Sequence, residues 1–439
     1  MTNKNCAVPF LILSLSISCV GQNPQKRTQA LFDAVQNGNL QGVLALLDKG
    51  VDVNCRGAYN YTPLITAARY TQMEIARALC DRGADVNVAT DIAEPHEWGS
   101  TPLLWAAENC HVEMAEYLIS KGAEVGWPGG EGDTPLMVAA RKGCQPIVDI
   151  LIAKGAAVEA VREFDSATAL IEAVSRGNLN VAIDLIAYGA NIGRKDRNGN
   201  SLLLLSAAGG HYDQVRYFFE KGLPVDDKDG DGNTAIYHAI GNSVERRYIL
   251  EFLIEHGVDP TIKGNVGISP LLAASVEAVE SEVRLLIDHG ADVNESDSWK
   301  STPLHHACRV LSAKHGLKDS VATIRLLLDK GAQVNAIDSD GKTPLIVASG
   351  GEEPLQPQVQ VIEILLEHGA QVNIQDNRGW TALMHAASWN QTAVIKVLTR
   401  WGADLNIRTS AGNTALAITK KEKRLLQAYK LLKNLGAKD

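Results

Sequence analysis

Thr302-Pro303-Leu304-His305-His306-Ala307 is the fullest copy of a short pattern that recurs along the chain. Threonine is a good helix N-cap because its hydroxyl accepts a hydrogen bond from an otherwise unpaired N–H group. Proline suits the first helical position, where its missing N–H donor costs nothing. Other clear copies begin at Thr62, Thr101, Thr134 and Thr343. The pattern therefore predicts a series of helices that begin at the same point of a repeated unit.

The position of the motif threonine gives the register of the repeat. Successive positions are 33, 39, 33, 34, 33, 33, 35, 33, 41, 38 and 33 residues apart, so the base period is 33 with a few insertions. Such a period is typical of stacked repeats rather than of a globule with a single buried site. The 12 positions are Gln29, Thr62, Thr101, Thr134, Thr168, Ser201, Thr234, Ser269, Thr302, Thr343, Thr381 and Thr414.

Each repeat reads as two helices followed by a turn. Small pairs such as Ala67-Ala68 follow the motif and allow two helices to approach closely. Aliphatic residues at helical spacing, such as Ile324 and Leu327, mark the second helix. A glycine such as Gly290 then stands where a left-handed C-cap is favoured. A Val-Asn pair follows, and it begins an extended finger that leads to the next repeat.

These features resemble the ankyrin repeat, whose pattern is a turn, T-P-L-H-x-A-A and two antiparallel helices. The resemblance implies an all-α fold, an ankyrin-repeat solenoid of about 12 helix-turn-helix units with β-hairpin fingers. We assign residues 29–439 to this domain. The first unit (29–61) lacks the motif and the last (414–439) has a Lys-rich helix. We expect both to be caps, because terminal repeats need polar outer faces.

The segment before the repeats carries a different pattern. Ala7–Ile17 is mostly apolar and is followed by small residues, which resembles a secretory signal peptide. It is too short to span a bilayer as a helix, which takes about 20 residues. We therefore expect a signal peptide over residues 1–18 and a short polar tether over 19–28.

Three interpretations of the cleavage site remain open. Leu15-Ser16-Ile17-Ser18-Cys19 resembles a bacterial lipobox with Cys19 as the lipidated residue, although Ser16 stands where leucine is usual. Ordinary cleavage near Gly21 is the second interpretation, and a retained N terminus is the third. On the first interpretation the protein is exported to the cell envelope, in the periplasm or at the outer membrane, and touches the membrane only through a lipid anchor. Plain secretion is the alternative.

Composition limits the classes of function. The formal net charge is −9 and the isoelectric point about 5.7. Phosphate binding needs a basic surface, so we expect no nucleic-acid partner. No H-E-x-x-H or G-x-S-x-G motif is present. We therefore expect no enzyme, no cofactor and no metal.

Two short motifs look functional but fall on repeat positions. Asp227–Asn233 resembles a calcium loop, yet its last ligand position holds His238 instead of glutamate. Gly341-Lys342-Thr343 resembles part of a phosphate loop, yet the earlier glycine is missing. We expect a turn at the first and a helix N-cap at Thr343. The histidines also share columns, so we expect them to bond loops between repeats.

Seven cysteines are present, of which Cys6 and Cys19 lie in the N-terminal segment. The rest show no metal-binding spacing. Cys110 and Cys144 occupy nearly the same column of adjacent repeats. Packed helices lie about 8–10 Å apart, whereas a disulfide needs Cα atoms about 4.4–6.8 Å apart. A bridge there would need distortion, so we expect small buried side chains without bridges at Cys55, Cys80, Cys110, Cys144 and Cys308.

The ankyrin resemblance implies that a protein partner docks on finger tips and on the exposed side of the first helices. Tyr, Trp and Arg at those positions are the candidates, because these types anchor interfaces. They are Tyr59, Tyr61, Arg69, Tyr70, Trp98, Arg141, Lys142, Trp299, Arg309, Trp380 and Trp389. The predicted function is a protein-binding scaffold in the cell envelope, acting as a monomer. The alternatives are a periplasmic accessory that protects one envelope enzyme, or a secreted effector that binds a host protein.

Three insertions interrupt the 33-residue period. One lies near 91–97, in a finger on the recognition side. The others lie near 311–320 and 350–358, between the two helices of a repeat and on the other edge of the stack. Loops of this kind often carry function.

Overall fold

The computed structural model describes residues 24–90, 99–130, 132–241, 243–309, 317–350, 356–420 and 422–438. These residues form helices and turns, with no β-strand among them, as predicted for an all-α fold. The chain divides into two compact lobes, an N-terminal lobe (1–162) and a C-terminal lobe (163–439).

The N-terminal lobe contains four helix pairs within its described residues. In each pair the two helices pack against each other, and the first helices of successive pairs also pack together. The helices are α1 (Pro24–Gln36), α2 (Leu40–Asp48), α3 (Pro63–Arg69), α4 (Met73–Asp81), α5 (Pro102–Glu108), α6 (Val112–Ser120), α7 (Pro135–Lys142) and α8 (Gln145–Ala153). A 3-10 turn lies at Ala58–Asn60.

The C-terminal lobe contains eight further helix pairs in the part that is described. They are α9 (Ala169–Ser175), α10 (Leu179–Ala187), α11 (Leu202–Gly209), α12 (Tyr212–Glu220), α13 (Ala235–Ala239), α14 (Val244–Glu255), α15 (Pro270–Glu277), α16 (Glu280–Asp288), α17 (Pro303–Arg309), α18 (Leu317–Asp329), α19 (Pro344–Ala348), α20 (Gln356–Glu367), α21 (Ala382–Ser388), α22 (Thr392–Arg400), α23 (Ala415–Lys420) and α24 (Leu426–Asn434). A 3-10 turn at Lys423–Leu425 precedes α24. Together the lobes contain the 12 helix pairs that the register predicts.

The motif threonine begins the first helix of most repeats. The Thr62 hydroxyl accepts from the Ile65 N–H at 3.2 Å, and Thr134 does the same for Met137 at 3.2 Å. Proline then occupies the first helical position. Ser201 and Thr234 begin helices without proline, and their buried hydroxyls have no hydrogen-bond partner among the described residues. The sequence motif therefore predicts the helix start, and two of its weaker copies lack the side-chain cap.

An asparagine at the start of the finger links one repeat to the next. The Asn335 amide donates to the Gly369 carbonyl at 3.1 Å and accepts from the Gln371 N–H at 2.8 Å. Asn54, Asn87, Asn294 and Asn373 make the same pair of bonds with the repeat that follows each of them. The Val-Asn pair therefore joins neighbouring repeats as well as beginning the finger.

The fingers are tight turns rather than the β-hairpins that the resemblance implies. In one of them the Asp229 N–H donates to the Asn233 carbonyl, and the Gly232 N–H donates back to Asp229, both at 3.1 Å. Each arm is too short for a ladder, so only Gln375 and Thr381 form an antiparallel bridge among the described residues.

Successive finger tips of the C-terminal lobe are joined by backbone hydrogen bonds. In each bond the N–H donor lies four residues before the motif position of one repeat. The carbonyl acceptor lies three residues before the motif position of the repeat that precedes it. The Ser339 N–H, for example, donates to the Trp299 carbonyl at 2.8 Å. The other pairs are Arg197 to Asp165, Gly230 to Asn198, Asn265 to Asp231, Asn377 to Asp340 and Ser410 to Arg378.

The two motifs that look functional are structural, as predicted. The Asp229 carboxylate accepts from the N–H groups of Asp231 and Asn233 and pairs with His238, so it caps a turn. The Thr343 hydroxyl caps α19 by accepting from the Ile346 N–H at 3.3 Å.

The histidines of the motif bond loops, and two of these bonds join neighbouring repeats, as predicted. The Nε2 atoms of His306 and His385 lie 2.9 and 3.0 Å from Asp297 and Asp376 in the finger of the preceding repeat. His305 differs, because its Nε2 reaches the Lys342 carbonyl at the end of its own repeat at 3.0 Å. Burial lowers the pKa of His306 and His385 below the ordinary value, against the attraction of the aspartates.

Cys110 and Cys144 form a disulfide, so the expectation of unbridged cysteines is wrong for this pair. Their Cα atoms lie 5.6 Å apart. The expectation used the distance between packed helices, but neither residue lies inside a helix. Cys110 lies in the turn between α5 and α6 with φ 52°, and Cys144 is the N-cap of α8. Cys55, Cys80 and Cys308 are free thiols.

The N-terminal segment is described only from Pro24 onward. Helix α1 begins there, so residues 24–28, assigned to a tether from the sequence, are helical. Proline is well suited to a first helical position. Cys19, Gly21 and residues 1–18 lie outside the described residues, as do 91–98 and most of the other two insertions. Among the described residues, no helix combines the length and the apolar character needed to cross a bilayer.

Candidate protein-binding pocket

Four of the candidate contact residues lie together. Tyr59, Tyr61, Arg69 and Tyr70 line one cavity of about 230 Å³ in the N-terminal lobe, which we call the tyrosine pocket. Sequence reasoning missed its other lining residues, which are Gln29, Phe32, Gln36, Gly57, Ala58 and Thr66. The pocket lies between α1, the finger at 57–61 and α3.

The finger backbone positions the tyrosines at the pocket. The Gly57 N–H donates to the Tyr61 carbonyl at 2.9 Å and closes the turn. Tyr59 and Asn60 have φ of 54° and 61°, a left-handed conformation that is uncommon for residues with a side chain. A Cβ atom on Gly57 would lie 2.9 Å from the Phe32 ring, so a side chain at this position would force the ring to shift.

Tyr61 contributes to the core as well as to the pocket. It is 9% exposed and forms a small apolar cluster with Ile65 and Val88, against which Phe32 and Trp105 pack. Its ring is therefore mostly covered, and its hydroxyl is the part that faces Arg69. Tyr59 (48% exposed) and Tyr70 (40% exposed) leave larger surfaces open to solvent.

Aromatic groups surround the Arg69 guanidinium. It donates to the Tyr61 hydroxyl at 2.8 Å. Its central carbon lies 5.0 Å from the Trp105 ring centre, 5.5 Å from that of Tyr61 and 6.0 Å from that of Tyr70. These are distances at which a cation attracts an aromatic face. The pocket therefore holds a fixed positive charge between apolar walls.

Amide groups line the other side of the pocket. The Gln36 amide donates to the Tyr70 hydroxyl at 3.0 Å. The Gln29 amide donates to Asp33 at 2.8 Å, and Asp33 is not one of the lining residues. Among the described residues, the lining thus combines one cation, neutral amides and aromatic rings and includes no carboxylate.

Helical spacing in α1 could have identified part of the missing lining. Gln29, Phe32 and Gln36 are separated by three and four residues, so they share one face of the helix. The sequence alone identifies this repeat only as a cap. The fold of the finger against Phe32 could not be read from that spacing.

Two further candidates are held by ion pairs within the same lobe. Arg141 lies 2.7 Å from Asp133, and Lys142 lies 2.5 Å from Glu108. Arg162, which is buried, also pairs with Asp133. Arg141 and Lys142 therefore already contribute to the packing of their repeats.

The C-terminal lobe holds the remaining described candidates. Trp299 is 58% exposed on a finger tip, and Arg309 is exposed at the end of α17. Trp380 is partly covered, with the Arg378 guanidinium 5.1 Å from its ring centre. Arg424 lies 5.9 Å from the Trp389 ring in the same way. Trp98 lies outside the described residues.

The described lining of the tyrosine pocket is rich in aromatic groups and includes one arginine. No cluster of three or more His, Cys, Asp or Glu that could hold a metal ion occurs in the described part of the chain. The lining residues that the structure describes include none of these four types. Aromatic rings and an arginine are the groups that anchor protein interfaces.

Comparison with known families identifies the repeat. The family described as "Ankyrin repeats (3 copies)" matches residues 2–90, 89–162, 170–264, 249–315, 271–376 and 311–409. The human ASB11 ankyrin repeat domain is a similar solved structure, with a TM-score of 0.44 and 22% identity. The match covers 50% of this chain and 96% of that one.

Several relatives share part of the sequence. A putative ankyrin repeat-containing protein of Treponema pallidum is 30% identical over 125 residues, which cover 28% of this chain and 41% of the relative. Human neurogenic locus notch homolog protein 2 is 30% identical over 133 residues, covering 30% of this chain and 5% of the relative. The bovine mitochondrial disaggregase is 31% identical over 97 residues, covering 22% and 14%.

The matched stretch is less than half of each of these relatives. The family matches, in contrast, cover most of this chain. Ankyrin repeats generally mediate protein–protein interactions. The chain belongs to the ankyrin repeat family.

Proposed function

We propose that this chain is an exported protein-binding scaffold that recognises a protein partner through the tyrosine pocket of its N-terminal lobe. The observation that carries the proposal is the convergence of Tyr59, Tyr61, Arg69 and Tyr70 on one cavity. Interface residues that contribute most to affinity are Trp, Tyr and Arg grouped in a pocket. Tyr59 and Tyr70 offer the exposed surface, and Arg69 offers a positioned charge.

We place the protein in the cell envelope, held by a lipid on Cys19. The signal-like segment before the repeats supports export. The Cys110–Cys144 bridge supports it independently, because disulfides persist in oxidising compartments and are rare in the cytosol.

Site-specific cross-linking tests the binding proposal. A photo-reactive phenylalanine derivative replaces Tyr59 in the full chain, in its native cells, and adducts are identified by mass spectrometry. The control carries the same group at Tyr188, which is also 48% exposed but follows α10 in the other lobe. We expect one protein to be captured from position 59 and not from position 188. Equal capture from both positions, or none from position 59, would exclude the pocket as the docking site.

Fractionation tests the location. We expect the full chain in the envelope membranes and a Cys19→Ala variant in the soluble exported fraction. A variant that stays membrane-bound would rule out the lipid anchor while leaving the binding proposal intact. Cytosolic recovery of the full chain would rule out export.

A further inference from the structure

The last repeat carries a net charge opposite to that of the rest of the chain. Residues 414–439 contain seven lysines and arginines and two acidic residues, a net charge of +5. The whole chain carries −9, so the other 413 residues carry −14. A terminal repeat needs a polar outer face for solubility, and charges of either sign provide one. The concentration of positive charge at this end is therefore more than capping requires.

The outer side of α24 combines lysines with an exposed leucine. Lys423, Leu426, Lys430 and Lys433 are separated by three, four and three residues, so they share one side of the helix and of the turn before it. All four are exposed, and Leu426 is 51% exposed. The buried residues lie on the opposite side, and they are Leu425, Ala428 and Leu432. Positive charge and apolar surface thus face the solvent together.

Hydrogen bonds to the eleventh repeat hold this end in place. The Ala428 N–H donates to the side-chain oxygen of Asn390 at 2.8 Å, and the Lys438 N–H donates to that of Asn406 at 3.1 Å. The Thr414 hydroxyl donates to the Lys438 carbonyl at 2.9 Å. Helix α24 also packs against α22 and α23. The exposed groups are therefore presented by a folded element.

A second column of the repeat changes at the same end of the chain. The residue before the helix-ending glycine is Lys, Arg, His or Tyr in the first ten repeats, and it is Trp401 and Leu435 in the last two. Trp401 is 43% exposed and Leu435 is 42% exposed. They are the C-caps of α22 and α24, two helices that pack together. The last two repeats therefore add apolar surface at the positively charged end.

The lysines at this end differ from earlier ones in their partners. Lys330 of the ninth repeat, for example, pairs with Asp288 of the repeat before it at 2.6 Å. The lysines of α24 and its preceding turn that pair with no carboxylate among the described residues are Lys423, Lys430 and Lys433. Their charges are available to an external anion.

We propose that this end of the chain, which we call the basic cap, docks on the surface of a membrane that contains anionic phospholipids. The basic cap consists of Trp401, Lys423, Leu426, Lys430, Lys433 and Leu435. Its lysines pair with headgroup phosphates, and its apolar side chains enter the boundary between headgroups and acyl chains. Tryptophan is enriched at that boundary. The contact is separate from the tyrosine pocket and from the lipid proposed on Cys19.

The distribution of charge and apolar surface favours a membrane over other anionic partners. A nucleic acid pairs with lysines through its phosphates, but it leaves Leu426 and Leu435 in water. A bilayer surface accepts both kinds of group. The charge of −14 on the other repeats is repelled by an anionic surface, so contact through the basic cap is favoured.

Vesicle sedimentation tests the proposal. The full chain carries Cys19→Ala, which removes any lipid anchor, and is mixed with vesicles of phosphatidylcholine alone or with added phosphatidylglycerol. Vesicles of phosphatidylcholine alone measure any binding through the apolar segment at residues 7–17. We expect about tenfold tighter binding to the anionic vesicles at about 50 mM salt, and loss of this preference at about 500 mM salt because the charges are screened. Hydrogen exchange should slow in peptides of α24 and stay unchanged in α8.

Variants separate the charge of the basic cap from its apolar surface. Lys430→Gln combined with Lys433→Gln should weaken binding to the anionic vesicles about 25-fold, or about fivefold for each lysine. Lys49→Gln combined with Lys154→Gln is the matched control, because these exposed lysines lie in the other lobe and their loss changes the net charge equally. Leu426→Gln should weaken vesicle binding about fivefold at unchanged net charge.

Other outcomes overturn the proposal. Equal weakening by the two lysine pairs would show that net charge, and not the basic cap, governs binding. No preference for the anionic vesicles would remove the membrane contact. A single-stranded DNA of about 20 nucleotides is the alternative probe. If it binds as tightly as the vesicles and Leu426→Gln weakens neither, the basic cap is a site for polyanions. Cross-linking from position 59 decides separately whether the proposed function stands.

Discussion

Glu282 shows how one buried side chain couples stability to pH. It lies in α16 and is 1% exposed. Its two carboxylate oxygens accept from the Gly241 N–H at 3.3 and 3.4 Å. Burial raises the pKa of this carboxyl from 4.5 to about 7, although that hydrogen bond and nearby Arg246 oppose the rise. The folded state therefore favours the protonated acid.

The pH dependence follows from the direction of the shift. Because the folded pKa lies above the unfolded value, this contribution to stability is complete below about pH 4.5 and is lost as the pH rises through about 7. We expect Glu282→Gln to raise the free energy of unfolding by up to about 3 kcal/mol at pH 8 and by little at pH 4.5. Urea denaturation at both pH values measures the difference.

Glu255→Gln is the matched control for this prediction. Glu255 ends the neighbouring α14 and is exposed. Its variant should show the same pH dependence as the parent protein. A Glu282→Gln curve that also runs parallel to the parent curve from pH 4.5 to 8 would contradict the shift.

Part of the candidate pocket could be predicted from the residue types in the sequence. Tyr59, Tyr70 and Arg69 follow from their columns, because the repeat itself does not require aromatic or charged groups there. The burial of Tyr61 could not be predicted, since it depends on how the finger folds against Phe32. Arg69 and Arg141 occupy the same column, and the structure shows that one donates to the Tyr61 hydroxyl and the other to the Asp133 carboxylate.

At the scale of the element, the helices follow from local signals and the fingers do not. A threonine cap with proline after it fixes the start of α3, α5, α7 and α19. A finger depends on the neighbouring finger, because its tip donates to the preceding tip. Such a bond joins residues 32 to 40 positions apart. A local sequence pattern cannot predict a contact between residues so far apart.

The linking asparagine allows the coupling between repeats to be measured. Asn335→Ala removes a donor to Gly369 and an acceptor for Gln371, so two backbone groups lose their partner. We expect a loss of about 1–3 kcal/mol in the free energy of unfolding. Gln333→Ala is the matched control, because Gln333 is exposed and bonds Asn294 through its backbone N–H. Equal denaturation midpoints for the two variants would show that the asparagine does not join the repeats.

At the scale of the whole molecule, the repeats differ in how they are joined. Asparagine stands four residues after the helix-ending glycine in repeats 1, 2, 8, 9, 10 and 11. In repeats 3 to 7 the same position holds Gly126, Glu159, Gly193, Asp226 and Thr261. The division into lobes at residues 162 and 163 falls within this middle region. The period alone predicts twelve equal units. The residue four positions after the helix-ending glycine shows, already in the sequence, that the units are joined differently.

The disulfide offers a test of whether the stability of a repeat stays local. Cys110–Cys144 joins the third and fourth repeats, and a closed loop of this size contributes about 3–4 kcal/mol by limiting the unfolded chain. In a stacked array stability is a sum over repeats and their nearest neighbours. We expect Cys110→Ser to speed hydrogen exchange in α5 to α8 and to leave α20 to α22 unchanged, as measured by mass spectrometry of peptides. A reducing agent should reproduce the effect in the parent protein and add nothing in the variant. Faster exchange throughout both lobes would instead show that the repeats open as one cooperative body. In that case substitutions at Glu282 and Asn335 should also speed hydrogen exchange at the tyrosine pocket.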